Sequence, residues 1–108
     1  MEDKLGLAQE LGAHEVYTPQ DVAQRGVKAT YVIECAGNAK AFETAFAATA
    51  PGGTTVTVGL PAPAARSSIS PLTITAEART IIGSYLGSAV PSRDIPRYAQ
   101  MWREGRLP

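Results

Sequence analysis

The spacing of apolar positions changes period several times along this chain, and each change marks an element. From Glu2 to Leu11, the residues Leu5, Leu7, Ala8 and Leu11 form a helical stripe, with acids in the first turn and Gly12 placed as a left-handed stop. Glu15-Val16-Tyr17 is short and β-prone, which predicts a strand. Thr18-Pro19-Gln20-Asp21 then has the form of an N-cap, a proline at the first helical position and a returning acid, so a short helix follows and stops near Gly26. Ala29 to Cys35 is apolar and β-branched almost throughout, as in a parallel strand buried on both faces. Gly37-Asn38 opens a helix over Ala39 to Ala50, where Phe42, Ala45, Phe46 and Thr49 follow i, i+3, i+4, i+7. Pro51-Gly52-Gly53 reads as a helix-to-strand turn, and Thr54 to Val58 as the next strand. After a loop rich in Pro, Ala and Ser, Ser70-Pro71 can cap a single helical turn reaching about Ala78. Thr80 to Ser84 predicts another strand, and Ser92 is placed to cap a last helix through Ile95, Tyr98, Ala99 and Trp102, closed by Gly105.

Helices and strands therefore alternate over short connections, which predicts an α/β fold built on a mostly parallel, doubly wound sheet. Right-handed crossovers put helices on both faces, and ligands in such sheets lie beyond the carboxyl ends of the strands. Those ends are Cys35-Ala36-Gly37-Asn38, Val58-Gly59-Leu60-Pro61 and Ser84-Tyr85-Leu86-Gly87.

Composition narrows the function classes. The 108 residues suffice for one small domain, and 44% apolar with 19% charged residues is ordinary for a globular chain. Ten basic side chains balance ten acidic ones without any basic cluster, so nucleic acid is not an expected partner. No segment approaches the roughly 18 apolar residues of a membrane span, so no membrane partner is expected either. A single cysteine rules out an internal disulfide and any multi-cysteine zinc site, in keeping with a cytoplasmic protein.

Individual candidates read modestly. A phosphatase-type thiol at Cys35 would need an arginine six residues on, where Ala41 stands, so Cys35 reads as a small buried cysteine. His14 has no second ligand near it and reads as a solvated helix-end residue. Glu34, an acid within an apolar strand, requires a partner, and a hydrogen bond to a neighbouring loop is the expected one. Phe42, Phe46, Tyr98 and Trp102 read as core stripe residues. A flavodoxin- or receiver-like fold would need an acidic or phosphate-binding cluster at the first strand end, and none is present.

Asp3-Lys4-Leu5 with Leu11-Gly12-Ala13, Val32-Ile33-Glu34-Cys35-Ala36-Gly37-Asn38, Val58-Gly59-Leu60-Pro61, and Arg79-Thr80 through Gly83-Ser84-Tyr85-Leu86-Gly87 occur here in order. At these spacings they resemble the coenzyme domain of the zinc-containing medium-chain alcohol dehydrogenases, with the class III formaldehyde dehydrogenase branch nearest in look. The resemblance runs from Asp3 to Leu107. It implies a partial Rossmann domain, residues 1–108, lacking the first βαβ strands. It further implies that Lys4 lies by the adenosine ribose and that Cys35, Ala36 and Gly37 line the adenosine side. Val58, Gly59 and Leu60 would touch the nicotinamide end, and backbone at Ser84 and Leu86 would bond its carboxamide. Residues near Ile69 to Ala78 match a dimer-forming edge.

Two departures limit what such a chain could do. It has no G-x-G-x-x-G turn, and its one Cys and one His are too few for the family's catalytic zinc. The resemblance thus implies weak or absent NAD binding by this chain and zinc only in full-length relatives. In the usual strand order, moreover, the strand at Glu15 to Tyr17 would be separated from that at Ala29 to Cys35 by the two missing strands. The sheet must close that gap, another chain must fill it, or the first residues must pack differently; open edges predict a homo-oligomer. The alternative expectation is a stand-alone, non-enzymatic interaction or nucleotide-binding module.

Overall fold

The computed structural model describes residues 2–108. Tyr17–Tyr85 forms one compact unit, and the segments up to Val16 and from Leu86 to Pro108 form another.

The Tyr17–Tyr85 unit is a three-stranded parallel sheet with helices between its strands. Helix α2 (Pro19–Arg25) begins where the sequence says it should. The Thr18 hydroxyl accepts from the Asp21 amide at 3.1 Å, and the Asp21 carboxylate accepts from the Thr18 amide at 3.2 Å, which closes a capping box. Strand β1 (Ala29–Glu34) leads through a turn to α3 (Ala39–Ala48), whose N-cap Asn38 accepts from the Ala41 amide at 2.8 Å. Strand β2 (Thr49–Thr57) follows at once, then α4 (Pro71–Ala76), capped by Ser70, and β3 (Thr80–Gly83). The strand order is β1-β2-β3.

Register decides which side chains face α3. Val32, Thr55 and Ile81 share one row across the sheet, and Ile33, Val56 and Ile82 share the next. Thr55 is fully buried and its hydroxyl pairs at 2.6 Å with that of Thr49, which also donates to the Ala45 carbonyl. Its row therefore faces α3, against Ala45 and Phe46, and the alternate row faces the other way. On that other face Tyr31 is 75% exposed and Ile33 64% exposed. The expectation that β1 is buried on both faces is thus corrected. Among the described residues α3 covers one face only, and a continuous apolar run in the sequence does not reveal whether a second layer is present.

Arg79 ties the strand layer to α3. Its guanidinium lies 5.0 Å from the centre of the Phe46 ring, donates to the Phe46 carbonyl at 2.6 Å and to the Glu77 carboxylate at 2.7 Å. The loop before α4 is tied to the same helix, since the Ser68 amide donates to Glu43 and the Ser67 hydroxyl to the Ala39 carbonyl.

Two other expectations within this unit change. Pro51-Gly52-Gly53 is not a simple turn but an irregular stretch of β2, where two steps along β1 (Ala29 to Tyr31) match five along β2 (Thr49 to Thr54). A side chain at Gly53 would begin 2.6 Å from the Thr30 carbonyl oxygen, so the close strand approach requires glycine there. Glu15-Val16-Tyr17 belongs to no strand of the described sheet. Three β-prone residues hold an extended ladder only when a neighbour strand supplies partners.

In the other unit, α1 (Glu2–Glu10) ends at Gly12, with the Ala13 amide bonding back to the Ala8 carbonyl at 3.0 Å. Helix α5 (Pro91–Arg103) is capped differently from expectation. Its N-cap is Val90, without a side-chain cap; instead the Asp94 carboxylate reaches back to the Val90 amide at 2.8 Å, and Ser92 lies inside the helix behind Pro91. Tyr98 and Trp102 are 50% and 64% exposed, which corrects their reading as core residues. The helical stripe was legible, but a stripe identifies a face and not what lies against it. No helix among the described residues is long and apolar enough to cross a membrane.

Three carboxyls are held below their ordinary values: Asp21 chiefly by the Thr18 hydroxyl, Glu43 chiefly by the Ser68 amide, and Asp94 chiefly by the Arg93 guanidinium. A depressed carboxylate stabilises the fold above its unfolded value, and that contribution is lost as pH falls through the lower, folded value. Stability is accordingly expected to decline on acidification below the usual carboxylate range. Thr18→Ala should raise the Asp21 titration toward its ordinary midpoint and cost about 1 kcal/mol through the lost cap, measured by an NMR pH titration beside urea unfolding.

Candidate functional site

The carboxyl ends of β1 and β2 meet backbone to backbone. β1 runs out into Cys35-Ala36-Gly37 and β2 into Val58-Gly59-Leu60. A Cβ built on Gly59 would lie 2.2 Å from the Gly37 nitrogen and 2.5 Å from its Cα. A Cβ on Gly37, which has φ of +69°, would lie 3.0 Å from the nitrogen and oxygen of Leu60. Gly59 has no room for a side chain, and at Gly37 a Cβ would press tightly on the Leu60 backbone while the positive φ independently favours glycine.

Glu34, the last residue of β1, is buried at the base of this junction. Its Oε1 accepts from the Gly37 amide at 2.7 Å and its Oε2 from the Thr57 hydroxyl at 3.0 Å. Its carbonyl accepts from the amides of Val58 at 2.9 Å and Gly59 at 3.2 Å. The partner expected of this acid is present, and it is the neighbouring strand end.

Internal bonds decide which backbone groups can meet a ligand. The amides of Gly37, Val58 and Gly59 are used by Glu34, and the Ser84 amide donates to the Thr57 carbonyl at 3.0 Å. Any contact from Ser84 therefore falls to its carbonyl or hydroxyl. The Leu60 amide has no acceptor among the described residues, and the residue is 76% exposed. Cys35 is exposed and not the buried cysteine expected, because the strand ends just before it and α3 starts beyond the turn.

The structure thus brings Cys35, Ala36, Gly37, Val58, Gly59 and Leu60 to one edge, with Ser84 linked through Thr57. Lys4, exposed on α1, and Leu86, 80% exposed with φ of +57°, belong to the other unit. A left-handed leucine beside Gly87 is an uncommon conformation, and one that sets its amide direction tightly. Sequence reasoning missed Thr57, since a threonine in a β-branched run carries no mark until the β1–β2 register sets it beside Glu34.

This edge offers backbone groups and apolar surface. Its one buried acid is already committed to two donors. Among the described residues no three His, Cys, Asp or Glu side chains group closely enough to hold a metal ion. The described residues therefore do not fit a catalytic zinc. A groove of about 640 Å³ lies elsewhere, between α2 and α3, lined by Val22, Val27, Lys28, Lys40 and Ala47 among others. Lys28 spans it to donate to the Ala47 carbonyl. Open parallel sheets bind at strand ends, so the strand ends are the candidate rather than this groove, whose lining also includes Gln20, Glu43 and Thr44.

Known proteins resemble the chain throughout. Residues 1–104 match the model of the zinc-binding dehydrogenase family. Geraniol dehydrogenase of Castellaniella defragrans is 36% identical over 110 residues, covering 94% of this chain and 30% of that protein. An alcohol dehydrogenase zinc-binding domain protein from Burkholderia ambifaria superposes with a TM-score of 0.78 at 27% identity, over 100% of this chain and 31% of its own. An NAD-dependent alcohol dehydrogenase superposes at 0.69 with 31% identity, over 99% of this chain and 32% of its own. The chain spans about a third of the length of these relatives.

Proposed function

Because the chain belongs to the zinc-binding dehydrogenase family, we propose that it serves as part of the NAD(P)-binding Rossmann domain of a zinc-type alcohol dehydrogenase. The observation that carries this reading is the meeting of Gly37 and Gly59 at the carboxyl ends of adjacent parallel strands, the place where such sheets bind nucleotides. The residues fit one wall of a cofactor site. Bare backbone allows close approach, the Leu60 amide is available as a donor, and Val58 and Leu60 present exposed apolar side chains. The nicotinamide cofactor, when bound, supplies the hydride acceptor. The part of this chain is to hold and orient it. Zinc, with no ligand set among the described residues, belongs in this reading to the remainder of the full-length enzymes.

A finer assignment to the class III formaldehyde dehydrogenase branch rests on the whole ordered set of runs, from Asp3-Lys4-Leu5 through Val32 to Asn38 and Val58 to Pro61, and ending with Gly83 to Gly87. The same reading makes the protein cytoplasmic and dimeric through the segment Ile69 to Ala78, where Leu72 is 75% exposed.

Calorimetric titration of the chain with NAD, run beside sedimentation, tests the proposal. Without a glycine-rich phosphate turn the expected dissociation constant is on the order of 1 mM, with NAD preferred over unrelated nucleotides. A folded oligomer that takes up no NAD at several times that concentration, about 5 mM, would instead favour a non-enzymatic interaction module. One observation already speaks for that second reading, namely the uncovered sheet face around Tyr31, Ile33 and Ile82.

A further inference from the structure

We propose that Glu34 is a positioning residue for dinucleotide binding, holding the Cys35-Ala36-Gly37 turn and the Val58-Gly59-Leu60 strand end at a fixed separation. The inference rests on the cofactor reading above and names the residue on which its geometry depends. Four bonds converge on this one residue. Its two carboxylate oxygens take the Gly37 amide and the Thr57 hydroxyl, one from each wall, and its carbonyl takes the Val58 and Gly59 amides.

No other group could do this as directly. Gly37 and Gly59 touch through backbone alone, so no side chain of either wall can adjust to keep them in register. The Asn38 side chain is committed to the start of α3, and the Ser84 amide to the Thr57 carbonyl. The carboxylate acts from behind the walls. It is buried, so its effect on a ligand passes through Gly37 and Thr57. A carboxyl group carries two acceptor oxygens on one rigid plane, which suits a single side chain that must fix two segments. A displacement on the order of 1 Å in a positioning element can cost a ligand or a reaction about a hundredfold.

The test uses the full 108-residue chain with Glu34→Ala, Glu34→Gln, Thr57→Val and Thr57→Ser. Two quantities are measured in each: amide hydrogen exchange at Gly37 and Gly59 by NMR, and affinity for NAD. Circular dichroism establishes folding. In Glu34→Ala, exchange at Gly37 is expected to quicken and NAD affinity to fall, each by about tenfold or more. Glu34→Gln should restore both to within about threefold, because its amide oxygen accepts from Gly37 and its NH2 can donate to a rotated Thr57 hydroxyl. Thr57→Val, losing one of the two side-chain links, should fall between, with Thr57→Ser restored.

A folded Glu34→Ala chain with unchanged NAD affinity overturns the proposal. So does a chain that melts earlier while Gly37 exchange stays as in the wild type, since that is a merely structural role. Should Glu34→Ala not fold, the two Thr57 variants decide by the same two readouts. A wild-type chain that binds no NAD sinks the cofactor reading, and the exchange arm then still decides whether Glu34 holds the two walls.

Discussion

Replacing Gly59 by alanine is expected to destabilise the chain by about 3 kcal/mol and to remove whatever NAD affinity it has. The added Cβ would start 2.2 Å from the Gly37 nitrogen, and that obstacle is backbone, which cannot turn aside as a side chain would. Either the β1 turn or the β2 end must move. The first breaks the Gly37 bond to Glu34, and the second breaks the Val58 and Gly59 bonds to its carbonyl. Gly83→Ala serves as the control. A Cβ there meets nothing within 4 Å, and the residue does not lie in the left-handed region. Its effect on stability should stay within about 0.5 kcal/mol. Urea unfolding of both variants checks the prediction, and equal midpoints would contradict the tight approach.

Arg79→Ala should cost about 2 kcal/mol, lowering the thermal midpoint by about 10 °C for a chain of this size. Three losses combine. The guanidinium no longer covers Phe46, the Phe46 carbonyl at the end of α3 loses a donor, and Glu77 loses its partner. The last contributes least, since the Glu77 side chain is 38% exposed and solvent takes over much of the pairing. Arg79→Lys keeps the charge but not the planar stack, so it should recover less than half. Calorimetric melting of the two variants distinguishes these contributions. A lysine variant as stable as wild type would mean that charge alone matters at this position.

Both predictions turn chiefly on contacts between residues more than 20 positions apart, Gly59 with Gly37 and Arg79 with Phe46, and neither was visible beforehand. Gly59 stood out as a glycine at a strand end, which turns and ligand sites share alike. Arg79 formed part of a family resemblance without any structural role attached to it. Glu34 was different, because an ionisable group in an apolar strand announces by its cost alone that a partner exists. The identity of that partner, Gly37 on one side and Thr57 on the other, required the register of β1 on β2.

What the sequence by itself determined is local: the capping box of α2, the caps at Asn38 and Ser70, the strands at Ala29 and Thr80, and the alternation that makes this an α/β chain of the dehydrogenase family. Hydrogen bonds between residues three or four apart, and one-residue preferences such as proline at a first helical position, are written in short windows and survive any packing. The tertiary structure alone decided that Glu15-Val16-Tyr17 is not a strand, that Tyr31 and Ile33 face outward, that Cys35, Tyr98 and Trp102 are exposed, and that two glycines meet at the strand ends. Each of these depends on which layer lies opposite. A strand needs a neighbour and an apolar face needs a cover, and those are supplied by segments whose position no local pattern records.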